Sequence, residues 1–542
     1  MYLSASEFRR SYRAGAIALG AVCLFIAAAV LALLRSGGEA ALSAVLSDVY
    51  VWRILRFTLF QALLSTALSV IFAIPVARAL ARQPHFPGRL WIIRLMAVPL
   101  GLPVLIGALG LIGVWGRQGL FNDLVAFAGY DRPLQIYGLQ GILLAHVYFN
   151  LPLAARLFLA GLERVPQEYF KSAAMLSMPQ RSVFRFIEWP VIAPLIPGIA
   201  GLVFMLCATS FTLVLILGGG PAATTLEVAI YQALRFDFNP SRAVALAGMQ
   251  IVLTALVLFG LSFFPKPKDP GTSADTTQTR PDSRKGRLRL ADSGLIGLFA
   301  VFLALPLLII VFKGVQADLL KIIREPVFLR ALATSLSIAF SAAIICLAIA
   351  LSFIAATSAI AAMKHPSSFD RGLSDLMGAM GSLVLLVPPI VLGTGWFLLV
   401  RPFGLTEMAA PVIVVAINTL MALPFVLRVL QPAIAIHRSR TARLSASLGL
   451  SGFNRFKTID WPGLRKPLTT AMAFAMALSL GDLGAVALFG GNELMTLPWL
   501  LYSRLGSYRT ADANGLALIL GFVCLLLMIA GTRGQKARAG GI

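Results

Sequence analysis

The stretch FRFIEWP at residues 184–190 returns as FKTIDWP at residues 456–462, an offset of 272. Outward from these heptapeptides the same offset relates Leu151-Pro152 to Leu423-Pro424, Arg156 to Arg428 and Leu176 to Leu448. One residue then drops out. At an offset of 271, Gly219, Thr225, Leu226 and Tyr231 reappear as Gly490, Thr496, Leu497 and Tyr502. Chance does not hold register over some 80 residues, so the chain is a tandem duplication.

The duplicated unit is apolar on a scale that a water-covered core does not need. Of 542 residues, 58% are hydrophobic and 13% charged, with a mean hydropathy of +0.85. A soluble domain carries about a quarter of its residues charged, whereas about 20 apolar residues of helix cross the hydrocarbon layer of a bilayer. Spans are expected near 14–34, 57–80, 91–115, 137–160, 196–217 and 243–264, then near 293–313, 331–355, 382–400, 411–431, 468–489 and 513–531. The expected fold is an all-α polytopic membrane protein of about twelve helices. Its two six-helix repeats run parallel, because an even number of spans separates the copies.

Residues 265–290 between the sets are polar and rich in Pro, Ser and Thr, too poor in apolar surface to fold alone, and read as a linker. Arg9, Arg10 and Arg13 precede the run Ala14–Leu34 as in a signal peptide. The run is long and lacks a clear cleavage pattern, so an uncleaved first helix is expected. A net charge of +23 would suggest nucleic acid as the partner of a soluble protein. Here the basic residues divide by side: 32 of the 46 Lys and Arg fall at the termini and in the loops after even-numbered spans. That side is expected to be cytoplasmic, with both termini inside, and no nucleic-acid partner is expected beside the membrane lipid. Cys23, Cys207, Cys346 and Cys524 each lie within apolar runs without metal-site spacing and read as small hydrophobes.

Each heptapeptide sits in a basic loop before the fifth span of its half. Ala173, Ala174 and Leu176, and in the second copy Leu444, Ala446 and Leu448, recur at helical spacing before Ser177 or Gly449. Thirteen residues on comes Pro190 or Pro462. This reads as a short amphipathic helix, a turn, and a second helix interrupted at the proline. An apolar face in such a loop calls for a cover, either a partner or the loop's own helix ends.

The pattern resembles the EAA loop of binding-protein-dependent ABC importer permeases, in which a short coupling helix docks on the ATPase subunit. The resemblance carries that coupling role to Ala173, Ala174, Leu176, Ser177 and Pro190, and to Leu444, Ser445, Leu448, Gly449 and Pro462. The motif's acidic position is Lys171 in one copy and Arg443 in the other, so its carboxylate is missing from both. The stretches at 137–157, 184–190, 217–234 and 478–490 are similar to the fused permeases of thiamine and thiamine-pyrophosphate importers, the ThiP type. That likeness implies a type I importer fold, an ATPase subunit in two copies, a periplasmic thiamine-binding protein and a bacterial inner-membrane location. It also implies two transport domains, 57–264 and 331–532. These are flanked by 1–56, by the seventh helix with its loop at 291–330, and by a tail at 533–542. Ferric-iron permeases share the fused plan and remain an alternative. An ion-coupled secondary transporter would instead place several charges at mid-membrane.

No nucleotide site is expected in the chain, since a P-loop requires Gly-Lys and that dipeptide is missing. No catalytic constellation, metal site or cofactor is expected either. Two residues are candidates for the substrate path. Asp482, in LSLGDLGAV, is a carboxylate within an apolar span, and its counterpart one repeat earlier is Phe211. It could attract a cationic cargo, cap a break in the span, or pair with an arginine. His146 lies beside Tyr148 and Asn150 in the fourth span, where an interhelical hydrogen bond is its other expected role.

Overall fold

A computed structural model describes residues 5–36, 47–129, 135–263, 286–363, 365–383, 387–450, 452–491 and 494–532. The regular structure among them is helical. The first half comprises α1 (Ala5–Ser36), α2 (Val49–Arg82), α3 (Val104–Trp115), α4 (Leu139–Leu162), α5 (Gln167–Met175), α6 (Ile196–Ala208), α7 (Thr212–Leu217), α8 (Leu226–Arg235) and α9 (Pro240–Ser262). The second comprises α10 (Gly286–Val315), α11 (Pro326–Ala361), α12 (Pro389–Val400), α13 (Thr406–Ser447), α14 (Trp461–Leu480), α15 (Gly484–Phe489), α16 (Leu497–Gly506) and α17 (Thr510–Thr532).

Ten helical segments among the described residues are long and apolar enough to cross a bilayer. The expected spans at 382–400 and 468–489 are not among them. In their place stand α12, only 12 residues long, and α14, whose first turns carry Arg465 and Lys466.

The spans expected at 91–115, 196–217 and 468–489 are interrupted, and that at 382–400 starts late. The first divides at Pro99 and Pro103 into Arg89–Leu95, Val98–Gly101 and α3. Proline removes a donor and clashes with the preceding turn. The Pro388-Pro389 pair likewise delays α12. The second divides into α6 and α7 at Thr209–Phe211, and the third into α14 and α15 at Gly481–Leu483. The linker expected at 265–290 lies outside the described residues up to 285. Its last five positions, 286–290, belong to α10 instead. The tail at 533–542 also lies outside them.

The first helix of each half packs on the other half. α1 lies against α11 and α12, while α10 lies against α3 and α2 as well as α17 of its own half. Small residues let the backbones approach. A Cβ added at Gly395 would fall on the Ala29 backbone, and one added at Gly110 would lie 2.6 Å from the Pro306 carbonyl oxygen. The Trp396 indole N–H donates to the Phe25 carbonyl at 3.2 Å, and the Tyr148 hydroxyl to that of Leu303 at 3.1 Å. Arg82 of α2 forms a nearly buried ion pair with Asp292 of α10, its Nε 3.0 Å from Oδ2. Unpaired, either charge would be costly to bury.

Candidate coupling surface and translocation path

In the first half, Pro166 separates α5 from α4. The equivalent residue in the second half is Arg438, and no proline follows Pro432 before Gly449. Accordingly α13 is one helix of 42 residues that runs from the membrane span into the loop, where a separate short helix was expected. The two copies nonetheless end alike. Ser177 and Gly449 take the left-handed conformation, with φ of 52° and 61°. The Met178 N–H donates to the Ala173 carbonyl at 2.9 Å, and the Leu450 N–H to that of Ser445 at 3.1 Å. This is the Schellman arrangement that satisfies a helix's last carbonyls.

These ends sort the candidate residues into two faces. Ala173 is buried with Phe170 and Val183 in a small cluster of the loop's own, and Ser445 is buried at the equivalent position. The loop therefore covers one side of its helix itself. On the other side Met175 and Leu176 are 88% and 74% exposed, and Leu444 and Leu448 are 52% and 59% exposed. Ala174, Ser177, Gly449, Pro190 and Pro462 are exposed as well, as are Lys171 and Arg443.

The repeated heptapeptide forms a π-helical turn in each half, Phe184–Glu188 and Phe456–Asp460. The Trp189 N–H reaches back five residues to the Phe184 carbonyl, and the Trp461 N–H to that of Phe456. The widened turn accommodates the proline that follows, which has no N–H to give. Its acidic residue is anchored in both copies, from different elements. Glu188 is wholly buried and accepts from the Arg78 Nε–H at 2.6 Å, while Arg78 also lies over the Phe184 ring. Asp460 lies 3.0 Å from His437 Nε2 and 3.4 Å from Arg455 Nε. Sequence reading missed Arg78 and His437, which stand 110 and 23 residues from their partners. The signal available was the acidic residue retained in both heptapeptides.

At the other end of the fifth spans, the two breaks occupy equivalent positions, with Phe211 matching Asp482 at the 271 offset. They meet across the interface of the halves. A Cβ added at Gly484 would lie 3.4 Å from Asp482 Oδ1, 3.7 Å from Pro389 and 3.8 Å from Phe211. One added at Gly481 would lie 3.0 Å from Pro103. So the broken fifth spans and the proline starts of α3 and α12 converge on one place. Non-helical backbone at membrane depth is tolerated where it is buried in protein or lines a cavity. Asp482 is half-buried there, and its carboxylate accepts from the N–H groups of Gly484 at 3.0 Å and Ala485 at 3.3 Å, capping α15.

Carbonyls freed at the breaks are met by amide side chains. Gln61 of α2 donates to the Cys207 carbonyl at 3.0 Å, and Gln250 of α9 to that of Ala208 at 3.4 Å. In the second half Asn418 of α13 donates to the Ser479 carbonyl at 3.5 Å and, more closely, to the Ser479 hydroxyl at 2.8 Å. Asn418 stands 272 residues after His146. His146 itself is buried, its Nδ1 2.9 Å from Ser65 Oγ, in the interhelical bond expected as its second role. The structure thus brings Asp482 and Phe211 together and leaves His146 among the helix-packing contacts. Gln61, Gln250 and Asn418 were missed, although each is a lone amide in an apolar run.

Residues 69–264 match the family model described as the binding-protein-dependent transport system inner membrane component. Over 526 residues the chain is 48% identical to the thiamine transport system permease protein ThiP of Brucella abortus (strain 2308), covering 97% of this chain and 95% of the relative. It is 43% identical over 485 residues to the ThiP of Escherichia coli K12, covering 89% of each. The chain belongs to the ThiP family of transport permeases. A probable sulfate transport system permease protein, cysT, of Helicosporidium is 27% identical over 203 residues, 37% of this chain. As a ThiP-family permease the chain is a multi-pass inner-membrane protein, and its two classes of candidate residue fall at opposite ends of the fifth spans. Coupling-loop residues precede α6 and α14, and the breaks follow them.

Proposed function

We propose that the chain is the membrane-spanning subunit of an ATP-binding-cassette importer that brings thiamine, its phosphates, or both into the cytoplasm. A separate ATPase, in two copies, docks on the two coupling loops, and a periplasmic thiamine-binding protein delivers the cargo. The observation that carries this reading is the pair of exposed apolar faces in a duplicated loop, Met175-Leu176 and Leu444 with Leu448, which share the equivalent residues Leu176 and Leu448. Apolar surface of this kind in a water-facing loop is a docking site. Two-fold repetition suits a two-fold partner. Thiamine as the cargo is supported by the naming of relatives that match along nearly the whole chain. The division of basic residues supports cytoplasmic termini and a cytoplasmic 265–290 segment.

The path through the membrane is assigned to the interface of the halves at Asp482, where four spans are broken or begin. The test is uptake of labelled thiamine by proteoliposomes that hold the chain with its ATPase and the thiamine-binding protein. Accumulation should require ATP and all three proteins. Uptake of ferric iron or another solute in its place, with thiamine excluded, would overturn the cargo assignment. Labelling of a cysteine at Ser273 by an impermeant reagent in intact cells would overturn the orientation.

A further inference from the structure

The short helix that Asp482 begins is held at its far end by the opposite half of the molecule. α15 runs six residues from Gly484 to Phe489, about 9 Å of rise. It packs on α12 and α13 of its own half, and Asp482 caps its first turn. At its other end the Gly490 carbonyl accepts a 2.6 Å hydrogen bond from Arg235 Nη2, in the last turn of α8 of the first half. α8 lies between the end of α7 and the start of α9, at the end of the molecule remote from the coupling loops.

The equivalent helix in the first half is tied differently. α7 ends at Leu217, whose carbonyl accepts from the Gly138 N–H at 2.7 Å, within its own half. Gly219, the counterpart of Gly490, sits against Tyr137 of the same half, where an added Cβ would lie 2.9 Å away. Arg235 has no counterpart, because the residue 271 positions later is Gly506. The Arg235 bond is thus an asymmetric tie across the interface, with no counterpart at the repeat position. Beside it the repeat mates Tyr231 and Tyr502 come within electrostatic reach of each other. Tyr231 meets Phe211 edge-on at 5.4 Å, and Tyr502 packs with Trp499 at 5.8 Å. A Cβ added at Gly490 would lie 2.9 Å from the Trp499 ring. An aromatic layer therefore adjoins both the break at Phe211–Asp482 and the Arg235 tie.

We propose that the Arg235–Gly490 hydrogen bond is the latch of the gate on the side remote from the coupling loops, and that it parts when cargo enters. The proposal rests on the permease reading for the existence of a path. A guanidinium donating to a carbonyl is among the stronger hydrogen bonds, and this one joins the two halves. The backbone acceptor fixes the end of α15 itself, so release of the bond frees the element that stands between Asp482 and the far surface. A closed gate that loses such a bond opens more often by the factor the bond was worth.

The test reads access directly and needs neither cargo nor ATPase. A cysteine is placed by Asp482→Cys and exposed to an impermeant methanethiosulfonate reagent from the α8 side, with the protein lacking that cysteine as background. Arg235→Ala should raise the labelling rate about tenfold, and Arg235→Lys, which keeps a donor, should raise it less. Equal rates with Arg235 and with Arg235→Ala would overturn the latch. Should Arg235→Ala not fold, Arg235→Cys with Gly491→Cys is bridged by a bifunctional methanethiosulfonate. Thiamine uptake should then stop and return on reduction, and undiminished uptake by the bridged protein would overturn the proposal. Faster labelling in Arg235→Ala together with no thiamine uptake by the unaltered protein would retain the latch and refute the cargo.

Discussion

Asp482 caps a helix in the structure and, on the proposed reading, also lines the path with its charge. Its oxygens accept the N–H groups of Gly484 and Ala485, satisfying donors that the helix break leaves without partners. Its carboxylate remains half-buried beside Phe211, Pro103 and Pro389, and no basic side chain among the described residues forms an ion pair with it. The two roles separate by substitution. Asp482→Asn keeps an acceptor for the cap and removes the charge. In a partly dehydrated path that charge is worth on the order of 1–3 kcal/mol toward a cationic cargo, so uptake at limiting thiamine should fall severalfold at unchanged protein level. Asp482→Ala should in addition lower stability by about 1 kcal/mol through loss of the cap, read as a lower Tm in detergent. Wild-type uptake by the Asn variant would assign Asp482 to structure alone. The sequence marks this residue, since a carboxylate flanked by glycines in an apolar run is conspicuous. It does not mark Phe211 as its neighbour, because the two meet only when the halves are apposed. His146 shows the converse: a conspicuous residue whose hydrogen bond to Ser65 ties two helices together.

Among the elements, the coupling loops were legible as duplicated amphipathic segments, and their buried and exposed faces follow from the same spacing that revealed them. Their difference was legible less easily. Pro166 splits α5 from α4, while Arg438 at the same position lets α13 continue as one rod from the membrane to the loop. Movement of that loop is therefore movement of the whole helix, whereas α5 has a joint at residues 163–166. Of the helix breaks only the one at Asp482 was among the expected alternatives; the others were not legible, because glycine, proline and serine in apolar runs also serve close helix packing. At the loop surface Leu448 is 59% exposed with nothing in its own half to cover it fully. Leu448→Asp should leave folding intact and weaken association with the ATPase by several kcal/mol, the cost of burying an unpaired charge in an apolar contact. Co-purification of the ATPase with the variant measures this. Retained complex and retained uptake would remove Leu448 from the docking surface.

At the scale of the whole molecule, duplication makes each half incomplete. α1 lies on α11 and α12 of the second half, and α10 on α2 and α3 of the first. Nothing in hydropathy or spacing assigns a span to one half or the other, so this exchange was not legible although every helix involved was. It has a consequence for the residues between the halves. The interface is made by two exchanged helices, the buried Arg82–Asp292 pair, and the close approaches at Gly110 and Gly395, so it does not depend on the chain being continuous from 264 to 285. A tether raises the local concentration of the second partner without adding a contact, and confinement to one membrane already does part of that. Cutting the gene between Pro270 and Gly271 and co-expressing the two pieces should therefore yield halves that co-purify and take up thiamine. Asp292→Ala in the second piece should weaken the association by about 3–5 kcal/mol, by removing the carboxylate that pairs with the buried Arg82 across the halves. Removing α1 from the first piece should abolish association by baring the α11–α12 groove. Halves that are each stably inserted yet fail to associate would show that continuity of the chain, and not exchange of the first helices, holds the two repeats together.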